Sequence, residues 1–196
     1  MQGSTDRIAR WGLRCAFAVV LLFAIAEAGA GPAQPSYIAP ATRIMATPGQ
    51  PLLLDGAPRP VASLLAVSGR MRYGEFVWND AGVSGGPLWI RIDREAQLIS
   101  VFRGGDEIGT AVILYGAPDK PTPPGRYPIL GKDRDHRSSL YDAAMPYTLR
   151  LTGDGVSIHA STVREGRATH GCIGLPEPFA RKLFDQARVG DAVVIV

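Results

Sequence analysis

A short segment near the C-terminus, ATHGCIG at residues 168–174, brings a histidine, a glycine and a thiol together. The chain has only three histidines and two cysteines, so this grouping stands out. A free cysteine has a pKa of about 8.5, and a nucleophilic Cys172 therefore needs a base such as histidine within hydrogen-bond reach. His159 and His170 are the two candidates. The residue types predict nucleophilic chemistry at Cys172.

The two histidines differ in the elements expected to hold them. His159 lies in GVSIHAS, a β-branched and apolar segment typical of a strand, so a sheet fixes its position. His170 is two residues from the thiol, outside that strand. We predict His159 as the base, and His170 as a residue that braces the loop or donates near an oxyanion. Gly171 permits a sharp turn, and a helix after Pro176 is expected to lower the thiol pKa.

The N-terminus indicates the compartment. Arg7, Arg10 and Arg14 precede the apolar run CAFAVVLLFAIA, which gives way to the small residues Ala28-Gly29-Ala30. This pattern predicts a secretory signal peptide over residues 1–30. An uncleaved N-terminal membrane anchor is the alternative, because the apolar stretch can be extended to about residue 30. Either way we expect the remainder outside the cytoplasm, in the periplasm or cell wall.

Removal of the signal peptide takes Cys15 away and leaves Cys172 as the one remaining cysteine. In an oxidising compartment paired cysteines staple structure, and a lone thiol cannot do so within its own chain. A small buried hydrophobe is the ordinary alternative for a free cysteine. Zinc binding by His159, His170 and Cys172 lacks the fourth ligand of a structural site, so we expect no metal and no cofactor. A papain-like protease places its cysteine before its histidine, the reverse of this order.

Composition excludes further classes. With 46% hydrophobic and 20% charged residues, the chain is that of an ordinary globular protein. Loss of residues 1–30 removes three arginines and two acids and lowers the net charge from +3 to +2. This mild charge, without a basic run, does not favour nucleic acid as a partner.

The elements that must position the thiol are mostly strands. Residues 31–63 are rich in Pro, Gly and Ala and are interpreted as a linker. From residue 64 to 196, short β-branched and aromatic segments alternate with turns, including hairpins at DREAQ and at Gly104-Gly105. One helix is predicted in PEPFARKLFDQARVG, with a stripe of Phe179, Leu183 and Ala187. We predict a mostly β sandwich or open barrel with one helix near the C-terminus.

Several motifs of this sequence resemble those of a known family. SIHAS followed by ATHGCIGLP resembles the signature of the L,D-transpeptidase catalytic-domain family (YkuD-type). TPPGRYPIL and SSLYDAAMPYTLRLTGDGVSIH resemble two further family segments in the right order, and the likeness covers a core of residues 86–196. The resemblance implies a β sandwich-like domain with the site at a sheet edge.

The resemblance also implies peptidoglycan chemistry. Cys172 would attack the third residue of a stem tetrapeptide, expel D-Ala and form a thioester, which an amine of a second stem would take up as a 3→3 cross-link. The Ala160 carbonyl would orient His159, N–H groups around Gly171 and Cys172 would stabilise the oxyanion, and Tyr141 would line the acyl pocket. Peptidoglycan stems are the expected partner and carbapenems the expected inhibitors. Hydrolysis of the same bond by a carboxypeptidase or endopeptidase, and peptidoglycan binding without catalysis, remain alternatives.

One position departs from the family pattern. Most members of the family it resembles carry Arg or Asn two residues after the cysteine, where this chain has Gly174. The missing side chain must be dispensable or replaced from elsewhere. Arg164 and Arg167 lie on the loop between His159 and Cys172. We hypothesise that Arg167 takes over part of the role by binding substrate, with Arg164 as the second candidate.

Overall fold

Residues 42–47, 50, 54, 57, 60–139 and 142–196 are described by the computed structural model of the chain. The predicted signal peptide, most of the predicted linker and Tyr141 lie outside the described residues. Within the described ranges, no helix combines the length and hydropathy that a bilayer span requires.

Two sheets and one α-helix form the described part of the chain, as the strand-rich sequence predicts. The larger sheet contains β1 (Arg43–Met45), β2 (Ser63–Leu65), β3 (Phe76–Trp78), β4 (Leu88–Asp93), β5 (Leu98–Arg103), β6 (Asp106–Val112), β7 (Gly125–Pro128) and β12 (Ala192–Ile195). The smaller sheet contains β8 (Gly131–Asp133), β9 (Thr148–Arg150), β10 (Ser157–Ala160) and β11 (Ile173–Leu175). The helix α1 spans Glu177–Gln186.

The larger sheet has the order β1-β2-β6-β5-β4-β12-β7, and β3 pairs with β6. Both predicted hairpins are confirmed: β4 and β5 flank the DREAQ turn, and β5 and β6 flank Gly104-Gly105. Gly104 has a φ of +60°, a left-handed conformation that glycine adopts without strain. Antiparallel pairing of β4, β5 and β6 gives the rigid centre of this sheet.

One hydrophobic core takes side chains from both sheets and from α1. Ile90 and Ile99 of the larger sheet belong to the same cluster as Ile158 and Ile173 of the smaller one. Phe179 of α1 meets Trp78 edge-on, with ring centroids 5.2 Å apart. The predicted stripe of Phe179, Leu183 and Ala187 is buried throughout. This shared core holds the smaller sheet, which carries His159, in a fixed place.

The predicted linker range is partly structured. β1 lies within residues 31–63 and pairs antiparallel with β2, which joins β6. The Arg43 guanidinium donates to the Ser63 hydroxyl at 3.2 Å and to the Glu107 carbonyl at 2.6 Å. Regular secondary structure is therefore present at β1, within the range interpreted as a linker. Pairing with a distant strand, rather than local periodicity, forms this element.

A cavity of about 890 Å³, called here the Glu107 cavity, lies over the face of β4–β6 that points away from the core. Its floor includes Ser100, Glu107 and Thr110, which alternate along their strands with core residues. Apolar side chains of residues 44–73 form much of its wall. The Leu65 N–H donates to Glu107 Oε2 at 2.8 Å, so the buried carboxyl is held by the backbone of β2.

Candidate active site

Cys172 lies in the turn that leads directly into β11. Gly171 before it has a φ of +102°, a conformation that residues with a side chain rarely adopt. The Thr122 hydroxyl accepts from the Gly116 N–H at 2.8 Å and donates to the Gly171 carbonyl at 2.9 Å. The Thr169 hydroxyl donates to the Cys172 carbonyl at 2.5 Å. These bonds use both carbonyls of the turn and fix its conformation.

The thiol contacts the backbone that precedes β10. Its S–H donates to the Gly155 carbonyl, with the sulfur 3.6 Å from the oxygen. Burial raises the pKa of the Cys172 thiol above its ordinary value, and the Ser157 N–H offsets part of that rise. The expected lowering of the thiol pKa by a helix end is wrong, because β11 and Pro176 separate Cys172 from α1. The resting thiol is therefore protonated at neutral pH.

His159 lies in β10, as predicted, and is 9% exposed. Its Nδ1 is 2.8 Å from the Ala160 carbonyl. A carbonyl can only accept, so Nδ1 carries the proton and Nε2 is left as the basic nitrogen. Nε2 makes no hydrogen bond to any residue of the described ranges. Burial lowers the pKa of His159, and nearby His136 adds to this effect against the Ala160 bond. The imidazole is therefore neutral at neutral pH.

Strand register places the thiol and the imidazole on one face of the smaller sheet. β10 and β11 are parallel, with His159 opposite Gly174 and Ile158 opposite Ile173. Cys172 precedes Gly174 by two residues, so it lies on the same face as His159, two residues along the strands. The structure gives no hydrogen bond between Sγ and the imidazole among the residues it describes. The two groups are neighbours, and the S–H has to leave Gly155 to reach Nε2.

Two backbone donors lie beside the sulfur. The N–H groups of Gly171 and Cys172 donate to no residue within the described ranges, although buried N–H groups are normally paired. Their carbonyls, in contrast, are bound by Thr122 and Thr169. The turn therefore presents donors to an incoming molecule, as an oxyanion site requires.

A cavity of about 950 Å³, called here the Cys172 cavity, opens over this turn. Gly171, Cys172 and His170 line it, together with Lys120 and Arg150. His159 and Ala160 belong to β10 and are not among the residues that line this cavity. Within the described ranges, no group of three potential metal ligands among His, Cys, Asp and Glu is close enough to hold an ion.

The fold and the site agree with a known family. Residues 87–195 match the model of YkuD, the L,D-transpeptidase catalytic domain. The chain belongs to this family. L,D-transpeptidase 1 of Mycobacterium tuberculosis is 32% identical over 118 residues, which are 52% of this chain and 47% of that protein. Probable L,D-transpeptidase 3 of the same species is 27% identical over 106 residues, 45% of this chain and 39% of that protein.

Solved structures of the family show the same fold. An L,D-transpeptidase in complex with imipenem is 28% identical, with a TM-score of 0.52 over 57% of this chain and 60% of that chain. An L,D-transpeptidase from Mycobacterium smegmatis matches in fold with a TM-score of 0.54 at 23% identity, over 57% of this chain and 59% of that chain. The chain spans about half the length of the curated relatives it matches.

Gly174, where this L,D-transpeptidase domain departs from the family pattern, is enclosed by neighbours. A Cβ at this position would lie 2.9 Å from the Ser161 Cβ and 3.4 Å from the Leu114 Cβ. The Gly174 N–H and carbonyl both bond to Leu114, at 2.9 Å each. A side chain at position 174 would therefore require Ser161 or its chain segment to shift.

The loop arginines do not reach the Cys172 cavity. Arg164 and Arg167 are exposed, and neither lines it. Arg150 does line it, and sequence reasoning gave this residue no role. Thr122 was also missed, although it opens the TPPGRYPIL segment that resembles a family motif. Its completely buried position between Gly116 and Gly171 shows why a threonine stands there.

Proposed function

We propose that the chain is a cysteine-dependent L,D-transpeptidase that acts on peptidoglycan stem peptides. The Cys172 sulfur attacks the carbonyl carbon of the third residue of a stem tetrapeptide. The bond to the terminal D-Ala breaks, D-Ala leaves with its amine, and a thioester joins the stem to Cys172. The amine of a second stem then attacks the thioester carbonyl, forming a 3→3 cross-link and releasing the thiol.

His159 carries the proton in both halves of this reaction. With Nδ1 donating to Ala160, Nε2 takes the thiol proton during attack and delivers it to the D-Ala nitrogen. It later takes a proton from the incoming amine and returns it to sulfur. The raised thiol pKa and the lowered imidazole pKa support this order, because both groups are neutral at rest. Proton transfer therefore accompanies attack.

The observation that carries the proposal is the pair of unpartnered donors at the thiol. A tetrahedral intermediate places negative charge on the former carbonyl oxygen, within bonding distance of the attacked carbon. The N–H groups of Gly171 and Cys172 are held next to the sulfur by two threonine hydroxyls and are available for that oxygen. Fixed donors of this kind lower the barrier because they need no reorganisation during reaction.

The same nucleophile is proposed to react with carbapenems. The family member solved with imipenem supports this assignment. Attack of the Cys172 sulfur on the lactam carbonyl opens the ring and leaves an acyl group on the thiol, with no atom lost. Labelling by a carbapenem also separates an enzyme from a peptidoglycan-binding module, which would not be acylated.

Export of the protein is a separate proposal, supported by the sequence of residues 1–30 alone. We propose that the mature chain begins at Gly31 and acts in the periplasm or cell wall. N-terminal sequencing of protein from the cell envelope tests this. An intact residue 1–30 segment in the membrane fraction would instead indicate an uncleaved anchor.

Incubation with purified tetrapeptide-containing muropeptides, followed by mass spectrometry of the products, tests the reaction. Loss of D-Ala together with cross-linked dimers is expected for transfer. Loss of D-Ala without dimers would show hydrolysis, with water replacing the amine. Unchanged muropeptides would contradict catalysis on this substrate.

A further inference from the structure

Four residues form a row across the smaller sheet that begins at the thiol. Arg150 of β9 pairs with Ser157 of β10 on one side and with Gly131 of β8 on the other. Continuation of the β10–β11 register, with Ile158 opposite Ile173, sets Ser157 beside Cys172. Residues paired across neighbouring strands point to the same face. The row Cys172, Ser157, Arg150 and Gly131 therefore lies on one face, and all four line the Cys172 cavity.

The spacing of strands gives the distance across this row. Neighbouring strands are about 4.8 Å apart, so the backbones of Cys172 and Arg150 are separated by about 10 Å. The Arg150 side chain lies over Gly131, where a Cβ would be 3.4 Å from Nη2. Because Gly131 has no side chain, the guanidinium rests there and the space over Ser157 stays open. The result is a groove with the nucleophile at one end and a cation at the other.

Arg150 is the cation that the protein leaves available. Its side chain is exposed, and its guanidinium forms no ion pair or hydrogen bond with the residues that the structure describes. The other charges near it are engaged: Lys132 Nζ donates to the Phe184 and Ala187 carbonyls at 2.5 Å each, at the end of α1. Asp133 Oδ2 lies 3.2 Å from His136 Nδ1.

The remaining acids of the cavity do not neutralise Arg150 either. Asp154 accepts from the Thr152 hydroxyl, and no ion pair in the described ranges joins Asp119 or Asp154 to Arg150. Lys120 adds positive charge on the same cavity wall. The groove is therefore suited to an anion.

We infer that Arg150 is a specificity-determining residue that binds a carboxylate of the acyl donor while Cys172 attacks. This inference rests on the proposed function. A guanidinium binds carboxylates through two parallel N–H bonds, which fixes orientation as well as charge. A stem tetrapeptide has a carboxylate on its terminal D-Ala, and a stem with a diamino diacid as third residue has another on that side chain. Both lie within about two residue lengths, roughly 7 Å, of the attacked carbonyl.

The test uses three synthetic tetrapeptide donors with the full-length protein. One donor has both carboxylates free, one has the third-residue side chain amidated, and one has the terminal D-Ala amidated. Binding is measured by calorimetry in a Cys172→Ala background, which reports on the groove without turnover. Thioester formation is measured by mass spectrometry with Cys172 present. Arg150→Gln is compared with Arg150→Lys and with Arg181→Gln, an exposed arginine on α1 that does not line the cavity.

Arg150→Gln is expected to weaken binding of the free donor by roughly 10- to 100-fold, the scale of a charge-assisted hydrogen bond. Arg150→Lys retains part of the affinity, and Arg181→Gln retains all of it. Amidation of the carboxylate that Arg150 binds should weaken binding to the wild-type protein as much as Arg150→Gln weakens binding of the free donor. With that amidated donor, Arg150→Gln should cause no further loss. The donor that behaves in this way identifies the carboxylate. The same loss for all three donors, or none for any, would overturn the inference.

A separate measurement tests the proposed function. If no donor forms a thioester with the wild-type protein while iodoacetamide still alkylates Cys172, the proposed reaction fails. The calorimetric comparison in the Cys172→Ala background still decides the role of Arg150 in that case.

Discussion

The Cys172 cavity and the Glu107 cavity are nearly the same size, about 950 and 890 Å³, yet they differ in what their polar groups do. In the Glu107 cavity, the buried Glu107 accepts from the Leu65 N–H, and the Tyr73 hydroxyl donates to Gln97 at 3.0 Å. In the Cys172 cavity, the N–H groups of Gly171 and Cys172 and the guanidinium of Arg150 have no partner among the described residues.

Cavity size therefore does not distinguish the two cavities, whereas the pairing of the polar groups named above does. A buried polar group without a partner costs free energy, so folding favours pairing wherever function does not require an open donor. Paired groups in the Glu107 cavity stabilise the sheet and its β2 partner. In the Cys172 cavity, the unpaired donors lie near a thiol and a neutral histidine. A bound substrate would supply the hydrogen-bond acceptors that these donors lack. Variants in each cavity should therefore affect different measurements.

The largest expected effect within this comparison is that of His159→Ala. Loss of the base should lower the rate of thioester formation about 10²-fold or more, the usual range for general base catalysis. His170→Ala should lower this rate less, because His170 lines the cavity but is not part of β10, the strand that holds the proposed base. Stopped-flow acylation by a carbapenem gives both rates. A greater loss for His170→Ala would show that the roles of the two histidines are reversed.

The pH dependence of acylation distinguishes a neutral pair from a preformed ion pair. The lowered pKa of His159 keeps the imidazole neutral down to a pH below its ordinary value of 6.5. The acylation rate should therefore stay constant as the pH is lowered to 6.5. It should fall only when the pH passes below the lowered pKa of His159, by about tenfold for each further pH unit. A rate already half lost above pH 6.5 would contradict a neutral resting pair.

Glu107→Gln is expected to change stability and leave chemistry intact. Burial raises the pKa of Glu107, so the folded state holds its proton more tightly than the unfolded state does. Stability from this group is therefore fully present below the ordinary pKa of 4.5 and declines as the pH rises toward the raised value. Glutamine has one acceptor oxygen where glutamate has two. The loss of one accepted hydrogen bond should lower the free energy of unfolding by about 1–3 kcal/mol.

Denaturant unfolding across pH, together with carbapenem acylation, checks this variant. The glutamine variant should show a flatter pH dependence of unfolding free energy, with an acylation rate within about twofold of wild type. A tenfold slower acylation in a variant that is folded at the assay pH would show that the Glu107 cavity contributes to the reaction.

The smallest expected effect is that of Arg167→Ala. The sequence suggested Arg167 as a replacement for the missing side chain at Gly174, but its side chain is exposed and outside the Cys172 cavity. Acylation and donor binding should therefore stay within about twofold of wild type. Arg164→Ala is the matched variant on the same loop. A loss of tenfold or more in either variant would restore the compensation hypothesis.

Local patterns were sufficient for much of the fold. The hairpin around Gly104, the buried stripe of α1 and the position of His159 in a strand all depend on neighbours in sequence, and all are confirmed. β1 was missed because its three residues have no periodicity and are ordered by pairing with β2. The thiol pKa was misjudged because the short strand β11 was taken as part of the approach to α1.

Features that depend on the pairing register of several strands could not be predicted from the sequence. Arg150 enters the site only because β9 pairs with both β8 and β10 in one particular register. Gly174 was interpreted as a missing arginine, whereas Ser161 and Leu114 lie so close that a side chain there would force a neighbour to shift. Contacts between distant segments decide both positions.

Intact-protein mass spectrometry tests whether Cys172 forms a thioester with loss of D-Ala. The wild-type protein mixed with a stem tetrapeptide and quenched in acid should gain the mass of the donor minus D-Ala, and peptide mapping should locate the gain at Cys172. Cys172→Ser preserves volume but replaces the thiol with a far weaker nucleophile, and it should gain no mass while remaining folded. D-Ala release by Cys172→Ser, or an adduct on another residue of the wild-type protein, would show that Cys172 is not the nucleophile.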